Sequence, residues 1–351
     1  MARQKKEQIV EMNKDTLDLF LTSCSKEYGK DSVSNMSSLD DPEPNFSGSY
    51  GLDISLNIPF PEGRIIEIYG PEAGGKTSLG LEALGQAHLR GKYVAYIKVE
   101  RNLNRSLVDS IRTIDLTKKD ESGKETFILI KPNNGVEALD LAVKFVSTIP
   151  RSVVLFDSVD AILSEAELLS SINDDHVAKT ARYMNKAVRR LDNFCEKNCS
   201  TIIFINQERS NIKPYGGGDV TSGGRGLKYY ASQRIQLKNV TKADYIINDK
   251  GEIIGHNVRY YIKKNKVSPP YIDGSIPIIY GQGIFREMEI ATLLKDLMLV
   301  ELSENGRLIF IEDKFRGVKE VTEMFLNDAT LFKKYIAIVM NNYYNWSDYE
   351  V

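Results

Sequence analysis

Cysteine, histidine and long apolar runs are all scarce in this sequence. The three cysteines, Cys24, Cys195 and Cys199, are too few for a disulfide framework and favour a reducing cytosol. Cys195 and Cys199 have neither a second cysteine pair nor a nearby histidine, so we predict packing residues there rather than a zinc site. No apolar run approaches the roughly 20 residues that span a bilayer, and the charged N-terminus lacks a secretory signal. We therefore expect a cytoplasmic protein that does not engage a membrane.

The net charge is also close to zero, because the sequence contains 46 lysines and arginines and 48 aspartates and glutamates. The chain as a whole thus offers no electrostatic attraction for nucleic acid, and any such attraction has to be local. What the sequence does have is an ordinary globular composition, with 42% hydrophobic residues in 351. This length suits one large domain with smaller attachments.

Short apolar runs alternate with helical segments from Arg64 to about Tyr280. Several runs are continuous Ile, Val and Phe, which is typical of strands buried on both faces of a sheet. The candidate strands are Arg64–Tyr69, Tyr93–Val99, Phe127–Lys131, Val153–Phe156, Thr201–Asn206, Ile235–Leu237, Val258–Ile262 and Ile276–Tyr280. We therefore predict an α/β fold with a central, mainly parallel sheet that the later strands extend as hairpins.

Segments of different character flank this region. Before it, a helical pattern stops at Gly29 and a linker rich in Ser, Asn, Asp and Pro follows. After it, a helix (Ile290–Val300), a strand pair around Leu308–Ile311 and two amphipathic helices indicate a small C-terminal α+β domain. The predicted parts are an N-terminal helix and linker, a core and a C-terminal domain: residues 1–45, 46–286 and 287–351.

One loop fits the pattern G-x-x-x-x-G-K-[ST] at every position. It lies between a strand and a helical stretch that starts near Ser78, and it consists of Gly70, Pro71, Glu72, Ala73, Gly74, Gly75, Lys76 and Thr77. Glycines let backbone N–H groups turn around phosphates, and the helix N-terminus adds a positive dipole. Lys76 can then reach the β- and γ-phosphates, and Thr77 can ligate Mg²⁺. A glycine-rich turn that contains Lys-Thr by chance is the weaker alternative, so we predict a site for ATP and Mg²⁺.

Three polar residues close other apolar runs. Asp157 is the candidate for the second carboxylate that organises Mg²⁺, with a strand-end cap as the alternative. Glu100 is the candidate for orienting or deprotonating the attacking water, with a solvated loop acid as the alternative. Gln207 ends a third strand, where it can contact a γ-phosphate. All three residues are expected at the same sheet edge as the phosphate loop.

The order and spacing of several motifs resemble those of the bacterial RecA recombinase family. The matching segments are Gly63–Glu72, Leu155–Val159, Phe204–Gln207, Thr221–Gly224, Leu227–Ser232, Lys263–Lys266 with Pro269, and Tyr280–Ile284. They cover about residues 46–285, so the chain is similar to a divergent member of that family. The resemblance implies a RecA-type P-loop ATPase core.

The resemblance also implies roles for individual residues. Glu100 would be the hydrolytic base, and Gln207 would sense the γ-phosphate. Lys264 and Lys266 would reach the nucleotide of a neighbouring protomer, whereas without the family such a lysine cluster is usually a solvated surface. Asn104 would contact the nucleotide, and residues 1–45 would contact the next protomer. The chain departs from the family at Lys98–Arg101, where Asp-Ala-Glu-His is usual, and at Leu107, where a tyrosine packs on adenine.

A basic, glycine-rich segment follows Gln207. Ile205–Lys238 contains six cations against two acids, and Asn211–Gly226 contains six glycines. Such a segment suits a nucleic-acid backbone, although composition alone fits an ordinary surface loop equally well. Its direct attachment to Gln207 favours DNA. Within this segment we predict DNA contacts at the basic residues Arg209 and Arg225. The resemblance adds Ile212 as an apolar wedge between bases and Gly223 and Gly224 as backbone contacts to phosphate.

A second basic surface is predicted on the helix from about Asp175 to Leu191. Its apolar face consists of Val177, Ala181, Met184, Val188 and Leu191, and its basic face of Lys179, Arg182, Lys186, Arg189 and Arg190. A solvated face is the commoner explanation of such a stripe. The resemblance matches Arg182 and Arg189 to phosphate contacts and Val177 to an apolar wedge between bases.

These observations together predict an ATP-dependent DNA recombinase. ATP and Mg²⁺ would assemble a helical filament of many copies on single-stranded DNA, which would then pair with homologous duplex DNA and exchange strands. Two alternatives stay open: a hexameric, helicase-like ring ATPase, and an ATP-gated DNA-binding filament without strand exchange.

Overall fold

The structure is a computed structural model that describes residues 14–29, 33, 40–99, 108, 111, 113–162, 175–209, 220–221, 224–296, 301–302, 308–309, 314–315 and 317–343. The chain divides into two compact units, residues 1–42 and 43–351. The first unit contains helix α1 (Lys14–Tyr28), which stops immediately before Gly29, as predicted. Within the described ranges, no helix combines the length and the apolar character needed to cross a bilayer.

The second unit is built on one eleven-stranded sheet. Its strands are β1 (Ile65–Gly70), β2 (Val94–Lys98), β3 (Phe127–Ile130), β4 (Val153–Asp157), β5 (Thr201–Arg209), β6 (Val220–Thr221), β7 (Gln233–Leu237), β8 (Tyr245–Ile247), β9 (Ile253–Asn265), β10 (Asp273–Ile279) and β11 (Gly283–Ile284). Six of them form a parallel centre in the order β7-β1-β5-β4-β2-β3. Antiparallel β9, β10 and β11 extend this centre beyond β7, while β6 pairs with β5 and β8 with β9. The predicted α/β fold with a parallel centre and later hairpins is confirmed.

Helices cover both faces of the sheet. They are α2 (Tyr50–Leu56), α3 (Lys76–Leu89), α4 (Gly135–Thr148), α5 (Asp175–Asn198) and α6 (Gly224–Tyr230). Local chemistry explains their starts: the Asn134 side chain, for example, accepts a hydrogen bond from the Glu137 N–H and caps α4. The predicted basic helix, α5, starts at Asp175 as expected and continues to Asn198.

The two-residue period of the strands divides the core into two layers. Ile66, Ile68 and Leu155 pack with α2 and α3 on one face of the sheet. Ile65 and Phe156 pack on the other face with α4, α5 and α6. Because successive side chains of a strand point to opposite faces, continuous apolar runs fill both layers.

The C-terminal region forms a third apolar cluster. It contains α7 (Arg286–Asp296), α8 (Val318–Asn327) and α9 (Ala329–Tyr343), and it includes Tyr50 from α2. Three short strands, β12 (Glu301–Leu302), β13 (Leu308–Ile309) and β14 (Lys314–Phe315), form a separate antiparallel sheet. The expected strand pair is therefore corrected to three strands, since β13 lies between two partners. The boundary at residue 287 stays a prediction.

The predicted loop Asn211–Gly226 is also corrected in part. Strand β5 continues to Arg209, and Val220 and Thr221 return beside it as antiparallel β6. Helix α6 already begins at Gly224. Neither element could be predicted from the sequence, because the segment is rich in turn-forming residues. A strand of two residues also exists only through its pairing with β5.

Candidate functional site

The phosphate loop, Asp157 and Gln207 lie at one edge of the sheet. Gly70, the last residue of β1, is the register partner of Gln207 in the adjacent parallel strand β5. Asp157 ends β4, the next strand, and is the register partner of Lys98 at the end of β2. The carboxyl ends of parallel strands meet at the same edge, which is where ligands bind in open α/β sheets.

The backbone of the phosphate loop has the shape of an anion cradle. Gly75 has φ 82° and immediately precedes α3, whose N-terminus therefore opens into the loop. A Cβ at Gly70 would lie 2.4 Å from the carbonyl oxygen of Leu237, so no larger residue fits where β1 leaves the sheet. Pro71, Glu72 and Ala73 complete the outer part of the loop.

Lys76 is the buried cation of this cradle. Its Nζ donates a 3.2 Å hydrogen bond to the carbonyl oxygen of Gly70 and a second to that of Pro71. Both acceptors belong to the loop itself, so the ammonium group already lies inside the curve that phosphates would enter. Ser78 lies in the first turn of α3, two residues after Lys76.

Thr77 and Asp157 form the oxygen pair expected of a Mg²⁺ site. The Thr77 hydroxyl donates a 2.8 Å hydrogen bond to Oδ2 of Asp157, and the Tyr96 hydroxyl donates a 3.1 Å bond to the same oxygen. Asp157 is buried. Mg²⁺ prefers one or two protein oxygens together with phosphate and water oxygens. A hydroxyl and a carboxylate in direct contact at the mouth of the phosphate loop fit that ion.

A buried polar network supports Gln207. The Gln207 N–H donates a 3.0 Å hydrogen bond to the Asn206 side chain, whose amide donates a 2.8 Å bond to Glu67. The other oxygen of Glu67 pairs with Arg234, and Glu67 is fully buried. This network joins β1, β5 and β7 directly beneath the phosphate loop. The predicted site did not include this network, although the sequence offers one signal for it, the acid Glu67 inside the apolar run of β1.

Lys264 and Lys266 lie away from the phosphate loop of their own chain. Lys264 pairs with Arg234 near the amino end of β7, and the Lys266 N–H donates to the Ser232 carbonyl oxygen before that strand begins. Lys264 Nζ donates to the carbonyl oxygens of Lys228 and Tyr229 at 2.8 and 2.9 Å. Burial lowers the pKa of Lys264 to about 8, and the neighbouring cations add to this effect. The structure thus does not bring the two lysines to the site formed by this chain.

A cleft of about 310 Å³ lies between the phosphate loop and the end of the β9–β10 hairpin. On the hairpin side, its wall includes Ile278, Ile279, Tyr280 and His256. His256 is buried, and its Nδ1 lies 3.2 Å from the Tyr280 hydroxyl. Burial lowers the pKa of His256, while Asp244 opposes the shift. The sequence contained no signal for the place of His256 in this wall, because it is an isolated histidine in a long strand.

Several predicted site residues lie outside the described residues. These are Glu100, Asn104, Ile212 and Gly223. Val99, the residue before Glu100, lies at the same sheet edge as the phosphate loop, because its N–H donates a 2.8 Å hydrogen bond to the Asp157 carbonyl oxygen. The roles of these four residues stay predictions.

The basic helix α5 presents the predicted two faces where its side chains are described. Met184, Val188 and Leu191 are buried. The opposite face exposes Arg182, Lys186, Arg189 and Arg190. Val177 and Lys179 also lie in α5, with side chains outside the described part. The face is therefore available to an anionic partner over at least its second half.

Helix α6 packs closely against α5. A Cβ at Gly226 would lie 1.9 Å from the Asn185 side-chain oxygen, so glycine permits the contact. Gly224 and Arg225 occupy the first turn of α6, and Arg209 ends β5. The two segments predicted to bind DNA therefore meet at this helix pair.

Comparison with known proteins adds a family to this geometry. The family model described as the RecA N-terminal domain matches residues 15–285. "Protein RecA" of Oleidesulfovibrio alaskensis is 34% identical over 328 residues, covering 92% of this chain and 89% of the relative. "Protein RecA" of Porphyromonas gingivalis is 33% identical over 308 residues, covering 86% and 87%. "Protein RecA" of Bacillus thuringiensis is 29% identical over 336 residues, covering 95% and 94%.

Proposed function

The chain belongs to the RecA family, and from this premise we propose that it is an ATP-dependent recombinase that assembles on single-stranded DNA and exchanges strands with homologous duplex DNA. The observation that carries the proposal is the pairing of Gly70 with Gln207 in neighbouring strands. This register sets a phosphate loop beside a polar residue whose strand leads directly into the basic segment. The state of the bound nucleotide can thereby control the affinity of the protein for DNA.

Each residue at this edge of the sheet has a separate role in ATP hydrolysis. Backbone N–H groups of Gly70–Thr77 and the Lys76 ammonium would hold the phosphates, and Thr77 and Asp157 would hold Mg²⁺. Mg²⁺, when bound, neutralises charge on the β- and γ-phosphate oxygens. Glu100 accepts a proton from the water that attacks the γ-phosphorus, and the bond to the bridging oxygen breaks to leave ADP and phosphate. Gln207 contacts the γ-phosphate and relays its loss to the segment after β5.

Between protomers, we propose that Lys264 and Lys266 bind the nucleotide of the neighbouring copy and so hold the two protomers together. They lie near the amino end of β7, at the sheet edge opposite the phosphate loop, and this position supports a role at the nucleotide of a neighbouring copy. Residues 1–45 would make a further contact with that neighbour, residues 46–286 would form the ATPase core, and residues 287–351 a separate small domain. A helical filament follows if the same contact repeats without closing.

For DNA, the exposed face of α5 and the segment around α6 form the binding surface. Arg182 and Arg189 would contact phosphates, together with Arg209 and Arg225 and the backbone of Gly223 and Gly224. Val177 and Ile212 would insert between bases. Backbone contacts position a strand but carry little sequence information, so base pairing would supply the specificity of exchange.

The experiment that tests this function measures ATP hydrolysis and filament formation with and without single-stranded DNA. The wild-type protein should hydrolyse ATP faster with DNA and form helical filaments under electron microscopy. Lys76→Ala should abolish both responses because the phosphates lose their cation. Gln207→Ala should retain most of its ATP affinity, which comes from the phosphate loop, and yet lose the nucleotide dependence of DNA binding.

Two results would contradict the proposal. Closed rings in place of filaments would indicate a helicase-like motor. Wild-type filaments that pair no homologous duplex in a strand-exchange assay would indicate a structural filament.

A further inference from the structure

Lys98 ends β2 at the same edge of the sheet as the phosphate loop. It is the register partner of Asp157, the last residue of the adjacent parallel strand β4. Neighbouring strands lie about 4.8 Å apart, and register partners project to the same face of a sheet. The Lys98 side chain therefore starts beside the carboxylate that the proposed function gives to Mg²⁺.

The face to which Lys98 points follows from its neighbours in the chain. Ile97 and Val99 pack in the core layer that contains α4 and α5. Tyr96 belongs to the opposite layer, with α3, and its hydroxyl donates the 3.1 Å hydrogen bond to Oδ2 of Asp157. Because successive side chains of a strand alternate, Lys98 projects to the face of Tyr96, about 6.6 Å nearer the carboxyl edge of the sheet.

A cavity of about 870 Å³ lies against this face. Tyr96 and Lys98 both line it, and its other charged residues are Glu125 and Lys131. Lys98 is half-buried, whereas Lys131, which follows β3 one strand farther from Asp157, is exposed. The open space allows the flexible four-carbon stem of Lys98 to turn toward a phosphate bound beside Asp157.

The two lysines at this edge lie on different sides of the proposed nucleotide site. Lys76 donates to the carbonyl oxygens of Gly70 and Pro71, next to β1. Lys98 lies at the end of β2, with β5 and β4 between the two strands. Phosphoryl transfer is catalysed mainly by charges that neutralise the phosphate oxygens in the transition state. A cation on the β2 side would complement Lys76 in that role.

We propose that Lys98 is a catalytic residue that contacts the γ-phosphate of the nucleotide bound to its own chain and stabilises the transition state of hydrolysis. The inference rests on the proposed ATPase function and adds a cation from the same chain to the lysines of the neighbouring copy. Water attacks the γ-phosphorus and its proton passes to Glu100. The bond from that phosphorus to the bridging oxygen breaks, and its electron pair stays on ADP. Lys98 keeps its proton throughout and acts through its charge and its N–H donors.

The first test measures ATP hydrolysis by Lys98→Met and Lys98→Arg at saturating Mg²⁺ and single-stranded DNA. Lys98→Met keeps most of the stem and removes the charge, so kcat should fall by about 100-fold, as after the loss of one transition-state donor. The value of kcat/KM should fall equally, because an interaction made in the transition state contributes to both. Lys98→Arg keeps a cation and should retain more activity.

Lys131→Met is the matched control, since it removes the same charge one strand farther from Asp157. It should retain the wild-type kcat. An equal loss in Lys131→Met and Lys98→Met would overturn the assignment, because any cation at this edge would then serve. A raised KM with unchanged kcat in Lys98→Met would also overturn it, since that pattern reports ground-state binding alone.

Equilibrium binding gives a readout that does not depend on turnover. ADP with aluminium fluoride and Mg²⁺ mimics the phosphoryl group in the transition state, whereas ADP alone lacks that group. Lys98→Met should weaken binding of the aluminium fluoride complex by about 10-fold or more and leave ADP binding unchanged. Equal weakening of both ligands would show that Lys98 supports the shape of the site, which would contradict a catalytic role. If thermal unfolding shows that Lys98→Met does not fold, Lys98→Gln takes its place in each comparison.

Lys76→Ala separates this inference from the proposed function. If Lys76→Ala abolishes hydrolysis while Lys98→Met has the wild-type kcat, the ATP site is supported and the role of Lys98 is wrong. If the wild-type protein hydrolyses no ATP, the proposed function fails and this inference fails with it.

Discussion

The hydroxyl of Thr77 donates a 2.8 Å hydrogen bond to Oδ2 of Asp157, a residue 80 positions later in the chain. This bond joins the end of the phosphate loop to the end of β4, with β5 lying between β1 and β4. It also brings together two oxygens of the kind that Mg²⁺ prefers.

Asp157→Asn should therefore weaken Mg²⁺-dependent ATP binding by at least about 10-fold to 100-fold, because even residues that only support the ligands of a metal have effects of that size. The amide keeps the shape of the carboxylate but loses its charge. Titration of Mg²⁺ at fixed ATP measures the effect. Tyr96→Phe is the matched control, because it removes a hydrogen bond to the same oxygen without changing its charge. An unaltered Mg²⁺ requirement in Asp157→Asn would exclude this carboxylate from the metal site.

Arg234→Met should destabilise the protein by about 3–5 kcal/mol, because it leaves the fully buried Glu67 without its counter-charge. Urea unfolding measures the free energy of unfolding of the variant against the wild type. The double variant Arg234→Met with Glu67→Gln should recover part of the loss, since the buried charge is then absent. A loss below about 1 kcal/mol in the single variant would show that Glu67 does not depend on Arg234 for its stability in the core.

Glu289 should make stability fall as pH rises. Burial raises its pKa from 4.5 to about 7, although Ser49 and the N–H groups of Tyr50 and Gly51 donate hydrogen bonds to it. Between these two values the folded protein binds more protons than the unfolded chain, so stability is lost as pH rises through that window. The change amounts to roughly 3 kcal/mol.

Glu289→Gln provides the comparison for this pH effect. Unfolding of both proteins between pH 5 and pH 8 isolates Glu289 from other titrating groups, which contribute equally to each. The stability of the wild type relative to the variant should decline toward pH 8. A constant difference across that range would show that the carboxyl of Glu289 titrates normally.

Arg182→Ala combined with Arg189→Ala should weaken binding of single-stranded DNA and flatten its salt dependence. Each phosphate contact contributes about 0.7 to the slope of log affinity against log salt for single strands, so losing two should reduce the slope by about 1.4. Both side chains are exposed on α5. Lys144→Ala, an exposed cation on α4, is the control and should leave the slope unchanged. If the double variant has the same slope as the wild type, this face of α5 does not contact the DNA.

Much of the fold was predictable because its signals are local. The strands around Ile66, Val154 and Ile203 are continuous apolar runs, and such runs have few alternatives to a position in a two-faced core. The helix α5 was predictable for the same reason, since its apolar residues recur at helical spacing. Strand β6 and the early start of α6 were not, because both occur among glycines and depend on contacts with β5 and α5.

The candidate site likewise contains some residues that the sequence could identify and others that only the folded chain brings together. Gly70–Thr77 could be identified from the amino acids alone, because a phosphate loop works through its own backbone and the helix that follows it. The Glu67–Arg234 pair, the wall at His256 and the remote position of Lys264 required the folded chain. Each depends on which strands become neighbours, and that order results from packing between residues far apart in the chain, which no local pattern contains.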